Sequence, residues 1–301
     1  MVLVFLGVPI QAQQSSSRNQ SLKIDVELAL VTATVTDPSG RIVSGLRPEN
    51  FQVWEDKVEQ KIEYFSEEDV PLSLGLIFDT SGSMSEKLSK ARDAAVTFLK
   101  TGSPEDEYFL VEFSDSPKVT EDLTTDISRL QNHLIFAQAK GMTSLFDAVY
   151  MGLEKLRGGT NTKKALLVIT DGGDNHSRYN FSDVKEFARE RDVQIFAIGI
   201  VDPVSSTLVE GSNGRAIVED LVGITGGRAF FPESVYELED ICAKIAIELK
   251  NQYVIGYHPS NTEKNGKWRK IHVKVSPPKG LPSLSVRSKT GYYAATLDAV
   301  P

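Results

Sequence analysis

The sequence predicts an α/β fold, a doubly wound and mainly parallel sheet, accompanied by a smaller β-sandwich. Three observations carry this. Between residues 70 and 250, the runs at 72–78, 108–113, 165–170 and 193–200 are almost continuously apolar, as strands buried on both faces require. They alternate with helical apolar spacing at 86–100, 127–139, 145–156, 182–191, 216–224 and 235–250. Such alternation implies a parallel sheet covered on both sides. Outside these bounds the apolar period changes to two, the signature of half-buried strands.

From the N-terminus, 2–10 is an apolar run too short to span a bilayer as a helix. Ile10 and Ala12 suit the positions before a signal-peptidase cut, and a polar stretch follows at 14–20. A basic leader is missing, so the segment reads as an export signal with a truncated start. No cysteine lies near it, which argues against a lipid anchor. The protein is therefore expected to be exported, periplasmic or extracellular.

Leu22, Ile24, Val26, Leu28 and Leu30 alternate, and the phase then shifts to Val31, Ala33 and Val35. A bulge or bend near Leu30 would account for the shift. The Pro and Gly of Asp37-Pro38-Ser39-Gly40 make a turn. Phe51 and Val53, then Ile62 and Tyr64, suggest two strands around a turn at Glu55-Asp56-Lys57. On the far side, Tyr253, Ile255 and Tyr257 alternate, as do Ile271, Val273 and Val275; Leu284 and Val286 suggest a last strand. Asn265-Gly266 is a hairpin signal. Neither flank has enough strands to bury a core alone. The expected organisation is a signal-like segment and polar linker at 1–20, one β-sandwich built jointly from 21–69 and 251–295, and an α/β domain at 70–250.

Composition narrows the function. The 301 residues are 41% hydrophobic and 25% charged, with a net charge of -8. No Lys/Arg-rich run exists, so nucleic acid is not an expected partner, and an acidic surface disfavours anionic membranes. Cys242, the only cysteine, lies at helical spacing with Leu238, Ile241 and Ile245 and reads as a core residue.

The most informative stretch is Asp79-Thr80-Ser81-Gly82-Ser83-Met84, between an apolar strand and a helix. A carboxylate and two hydroxyls sit at alternate positions, where a doubly wound sheet places its ligands. Oxygen is the donor that hard divalent cations prefer. Thr143 lies on Gly141-Met142-Thr143-Ser144, just before another helix. Asp171 follows the strand ending at Thr170, beside Gly172 and Gly173. Parallel strands would deliver all three loops to one sheet edge. Each residue also has a simpler use: Ser81, Ser83 or Thr143 could cap a helix, and Asp171 could brace a turn. Asp174 reads as a turn or cap residue. The loop carrying Asp79 is expected to be exposed.

In this pattern the chain resembles the von Willebrand factor A domain with a metal-ion-dependent adhesion site: Asp-x-Ser-x-Ser, a distant Thr and a distant Asp, in order. The flanks also resemble bacterial proteins related to that family, through Thr34-Val35-Thr36-Asp37 and Gln252-Tyr253-Val254-Ile255-Gly256-Tyr257. The resemblance implies that Asp79, Ser81, Ser83, Thr143 and Asp171 hold Mg²⁺, with Mn²⁺ or Ca²⁺ as substitutes. It also implies a protein ligand that supplies an Asp or Glu carboxylate to the ion. The function so implied is a cation-dependent, adhesion-type protein-binding module. An intracellular assembly or adaptor factor is the alternative, and a metal-dependent phosphohydrolase a weaker one. No enzyme activity is expected: His133, His176, His258 and His272 are dispersed, and neither a nucleophile elbow nor a phosphate-binding loop is present.

Overall fold

The central sheet is built from six strands. They are β5 (Leu72–Asp79), β6 (Glu107–Phe113), β7 (Pro117–Thr124), β8 (Lys163–Thr170), β9 (Gln194–Gly199) and β10 (Ala229–Phe230). The computed structural model describes residues 28–67, 69–171, 173–200 and 211–296 of the chain. The signal-like segment and the alternation at Leu22, Ile24 and Val26 lie outside the described residues.

Strand order is β10-β9-β8-β5-β6-β7, parallel throughout except for the antiparallel pair of β6 with β7. This is the doubly wound α/β architecture. The edge strand β7 escaped the hydrophobic pattern because its sequence, PKVTEDLT, is mostly polar and only partly buried. Its Pro at the first position and its irregular register suit an edge.

All eight residues of β5 are buried. Its Leu72, Leu74, Leu76 and Phe78 face one helix layer, made of α1 (Leu88–Lys100), α2 (Ile127–Phe136) and α6 (Leu238–Lys250). Ile77 faces the other layer, made of α3 (Leu145–Lys155), α4 (Phe181–Arg189) and α5 (Gly211–Thr225). Burying each such side chain contributes about 1.5–3 kcal/mol, so the two layers fix the sheet position. Cys242 is buried and unpaired in the first layer, as its spacing indicated.

The flanking segments form two antiparallel four-stranded sheets. One has the order β13-β1-β11-β4, with β1 at Ala29–Thr36, β4 at Ile62–Ser66, β11 at Tyr253–Tyr257 and β13 at Ser285–Ser288. The other has the order β14-β12-β2-β3, with β2 at Phe51–Glu55, β3 at Val58–Gln60, β12 at Trp268–Val275 and β14 at Gly291–Tyr293. Each sheet takes two strands from before the α/β region and two from after it. Val31, Ala33, Val35, Val53, Ile255 and Val273 pack between them in one core.

Three local expectations are corrected here. No bulge separates Leu30 from Val31: β1 pairs in continuous register with β11, from Ala29 opposite Tyr257 to Ala33 opposite Tyr253. The inner face of β1 is Val31, Ala33 and Val35, and its outer face is Leu30 followed by Thr32, Thr34 and Thr36; Leu28 and Leu30 lie over Gly256 and border a cleft against Arg189–Asp192. The irregularity falls instead between Gly256 and Tyr257, where β11 meets β4. The turn at Asp56-Lys57 joins β2 to β3, with both residues at positive φ, and the chain then breaks at Lys61 to enter the other sheet. Asn265-Gly266 makes no two-residue hairpin, since the strands on either side, β11 and β12, belong to different sheets.

Two residues separate α6 from β11. One of them, Gln252, is buried and donates to Gln194 Oε1 at 2.8 Å, at the start of β9. Arg287 of β13 donates to Glu248 of α6 at 2.5 Å and to the Gly227 carbonyl at 3.1 Å. The sandwich thus docks at the amino ends of the parallel strands, and the carboxyl ends, where Asp79 and Thr170 sit, stay clear of it.

Candidate metal centre

Strand β5 delivers Asp79 to the carboxyl edge of the sheet, where the carboxylate is fully buried. One oxygen accepts from the Ser81 backbone N–H at 2.8 Å, which bends the chain back over the strand end. The other accepts from the Thr170 hydroxyl of β8 at 2.6 Å. The next residues make a 3₁₀ turn, Gly82–Met84, pinned by the fully buried Met84. Gly82 and Ser83 are therefore exposed, whereas Asp79 and Ser81 are not. The expectation of an exposed loop holds only for its tip, because Asp79 is still part of the sheet.

From Ser81 a line of oxygens runs across the loops. The Ser81 and Ser83 hydroxyls are 3.1 Å apart, and the Ser83 hydroxyl donates to Asp171 Oδ1 at 2.8 Å. Asp171 Oδ2 accepts from the Lys87 ammonium at 2.7 Å. Two backbone bonds tie in the third loop: Lys140 N–H donates to the Thr80 carbonyl at 2.8 Å, and Gly82 N–H to the Gly141 carbonyl at 3.0 Å. Gly141 has φ +80°, and a Cβ there would lie 2.7 Å from the Asp115 carboxylate, so this position requires glycine.

Thr143 is 4% exposed and is held through its backbone: its N–H donates to Asn175 Oδ1 at 2.8 Å and its carbonyl accepts from Asn175 N–H at 3.0 Å. Among the described residues, no hydrogen bond of its hydroxyl joins it to the other four. The structure therefore links Asp79, Ser81, Ser83 and Asp171 into one hydrogen-bonded group and brings Thr143 to the same edge by way of Gly141.

The simpler uses of these residues can be examined one by one. Ser81 precedes the 3₁₀ turn without a side-chain capping bond. Helix α1 starts at Leu88 behind Lys87, again without one. Helix α3 begins behind Ser144, not Thr143, and the buried Ser144 hydroxyl has no partner among the described residues. Asp171 bonds to Ser83 and Lys87, in the segment that follows β5. Asp174 does serve as a brace, accepting from Phe146 N–H at 2.9 Å in the first turn of α3.

Burial pushes the Asp79 carboxyl above its usual range; hydrogen bonds from Thr170 and Ser81 oppose that rise, and the neighbouring Asp171 adds to it. The donor set is all oxygen, two carboxylates and three hydroxyls. Among the described residues no group of three or more His, Cys, Asp and Glu side chains is placed to hold a metal, so a zinc-type centre is not indicated. Metal–oxygen distances of about 2.0–2.1 Å in an octahedron require neighbouring oxygens about 2.9 Å apart. The spacings of 3.1 Å from Ser81 to Ser83 and 2.8 Å from Ser83 to Asp171 fit that edge. Lys87, Thr170, Asn175 and Asp115 were not singled out from the sequence. Lys87 had one weak signal, its helical four-residue spacing after Ser83.

A family model of the von Willebrand factor type A domain matches residues 74–243. The chain belongs to the von Willebrand factor type A domain family. The matched span runs from β5 into α6 and carries all five candidate ligands. Over a span longer than this A domain, the chain is 23% identical across 276 residues to human inter-alpha-trypsin inhibitor heavy chain H4, covering 84% of this chain and 27% of that protein. The bovine counterpart is 23% identical over 214 residues, 64% of this chain and 22% of that one. The chain thus spans about a quarter of the length of the curated relatives it matches. Among solved structures, a von Willebrand factor type A protein from Catenulispora acidiphila superposes with a TM-score of 0.51 at 11% identity, covering 90% of this chain and 74% of that one. The PilB minor pilin from Streptococcus sanguinis gives 0.51 at 14% identity, over 62% and 63%. At these identities the likeness concerns the fold alone.

Proposed function

We propose that the protein is an exported, non-catalytic binding module that recognises a protein partner through a divalent cation, Mg²⁺ by preference, at the carboxyl edge of the A domain. The observation that carries this reading is the group of oxygens at one sheet edge: the Ser81 and Ser83 hydroxyls lie 3.1 Å apart, the Ser83 hydroxyl lies 2.8 Å from Asp171, neither hydroxyl serves a helix cap, and the Asp79 carboxylate is tied in through the Ser81 backbone N–H. Ser81, Ser83 and Thr143 would hold the ion through hydroxyls, with Asp79 and Asp171 acting directly or through water. Two carboxylates only balance a dication, so the bound ion supplies a centre able to accept one more anionic oxygen. A partner Asp or Glu is the group that fits.

The surroundings support docking of a macromolecule. Gly82 and Ser83 are exposed, and Met142, next to Thr143, is 47% exposed and available for apolar contact. The sandwich lies at the opposite end of the strands and leaves this edge open. Among the described residues no helix is long and apolar enough to cross a membrane. Export rests on the apolar run at 2–10 and is tested by sequencing the N-terminus of the mature protein. The binding reading is tested by calorimetric titration with MgCl₂ and MnCl₂, followed by partner capture from the native extracellular milieu with and without EDTA. Saturable, EDTA-sensitive binding supports it. Absence of cation binding, or capture that ignores EDTA, refutes it.

A further inference from the structure

The Lys87 ammonium lies 2.7 Å from Asp171 Oδ2, against a carboxylate side chain that is 1% exposed, while the lysine side chain is 24% exposed. Lys87 immediately precedes helix α1. A cation at a helix N-terminus works against the helix dipole, so α1 gains nothing from it. Its interaction is with the candidate metal ligand. The second oxygen of Asp171 faces Ser83. Asp171 is therefore shared between an internal cation and the oxygen line.

We infer that Lys87 is an internal competitor of the divalent cation, a residue that sets how weakly the site binds metal. The inference rests on the cation-binding reading above. Asp79 and Asp171 together carry a charge of two, and the ammonium cancels half of it. A dication bound by these ligands meets a site of net charge −1 rather than −2, with a positive group already on one ligand. Even at the dielectric constant of water, a unit charge and a double charge about 5 Å apart repel enough to change an affinity about tenfold. Lys87 also helps hold the Asp171 carboxylate in place: among the described residues, removing the lysine would leave this buried side chain with the Ser83 hydroxyl as its partner.

The experiment compares the full chain with Lys87→Met, which keeps the apolar stem, and Lys87→Arg, which keeps the charge. Each is titrated with MnCl₂ alone by calorimetry, and each is melted in EDTA and in saturating MnCl₂. The expected result is Mn²⁺ affinity about tenfold tighter for Lys87→Met and within a few-fold of wild type for Lys87→Arg. Lys87→Met should also melt lower than wild type in EDTA and gain more from Mn²⁺ than wild type gains. A lysine with a structural role alone would lower the EDTA melt without enlarging the Mn²⁺ gain. Equal or weaker Mn²⁺ binding by Lys87→Met, with wild-type binding intact, overturns the role of Lys87 and leaves the site. Binding by Lys87→Met alone supports competition by Lys87 but overturns the proposed function, which needs a cation on the wild-type site. No binding by any of the three overturns the metal reading and this inference with it. If Lys87→Met is unfolded in EDTA, refolding on Mn²⁺ supports the inference and failure to refold overturns it.

Discussion

Asp79 offers the sharpest separation of binding from folding, through the pair Asp79→Asn and Asp79→Ala. The carboxylate is fully buried and accepts two hydrogen bonds, 2.8 Å from the Ser81 N–H and 2.6 Å from the Thr170 hydroxyl. Alanine removes the carboxylate oxygens that accept both bonds, at about 1–3 kcal/mol each. Against this stands the burial that already disfavours the charged carboxylate, visible in its raised pKa. The net expectation for alanine is a loss of about 2–4 kcal/mol. Asparagine retains an oxygen for the Ser81 N–H, and the Thr170 hydroxyl can rotate to meet the amide, so its cost is about 1 kcal/mol or less. Both variants remove one of two formal negative charges from the proposed cation site. Binding of Mn²⁺ should fall about a hundredfold or more in both. Urea unfolding by circular dichroism gives the stabilities, and calorimetry with MnCl₂ gives the affinities. Wild-type Mn²⁺ affinity in Asp79→Asn would show that the carboxylate is no part of a cation site. Equal stability of the two variants would show that the two hydrogen bonds do not hold the loop.

Three further outcomes follow from the packing. Glu55 is 2% exposed and accepts from Tyr257 and Tyr292 hydroxyls at 2.9 and 2.8 Å and from Arg269 at 3.3 Å; Glu55→Leu strips the buried Arg269 of its anion and should cost about 3–5 kcal/mol by urea unfolding, a cost below 1 kcal/mol being the contrary result. Arg287→Ala removes the cation from Glu248, whose side chain is 3% exposed, and hydrogen exchange should quicken across 250–257 while the oxygen line at 79–83 keeps its protection. Burial of Lys163, which caps the Leu249 carbonyl at the end of α6, lowers its pKa from 10.5 to about 8, with Asp69 and Asp106 opposing the shift. The unfolded chain then holds this proton more tightly, so the penalty is full below about 8 and fades as pH rises toward 10.5. Wild type should therefore gain stability relative to Lys163→Met between pH 8 and about 9.5, before free phenols ionise; a constant difference over that window would contradict the assignment.

The sequence alone determined the α/β character and the identity of the strands that matter. Runs such as 72–78 and 165–170 are apolar at every position, and only a strand buried on both faces tolerates that. It also carried the Asp-x-Ser-x-Ser spacing, although the two hydroxyls meet through the 3₁₀ turn Gly82–Met84 that follows the strand and not through strand alternation. Tertiary structure decided the rest. The polar edge strand β7 is stabilised by β6 beside it, which no periodicity within 117–124 records. The apparent phase shift at Leu30 reflects two exposed leucines, Leu28 and Leu30, that border a cleft against Arg189–Asp192 while Val31, Ala33 and Val35 face the core. The pairing of β1 with β11, and of β2 with β12, joins residues more than two hundred positions apart, a choice made by shared burial and not by local propensity. At the site, Asp79 and Asp171 could be named from their loops, but the Thr170 hydroxyl on Asp79 and the Lys87 ammonium on Asp171 could not. Those contacts arise only when β5 and β8 lie side by side and the turn beyond Asp79 folds back over them, and they set the charge that any cation or partner at this edge would meet.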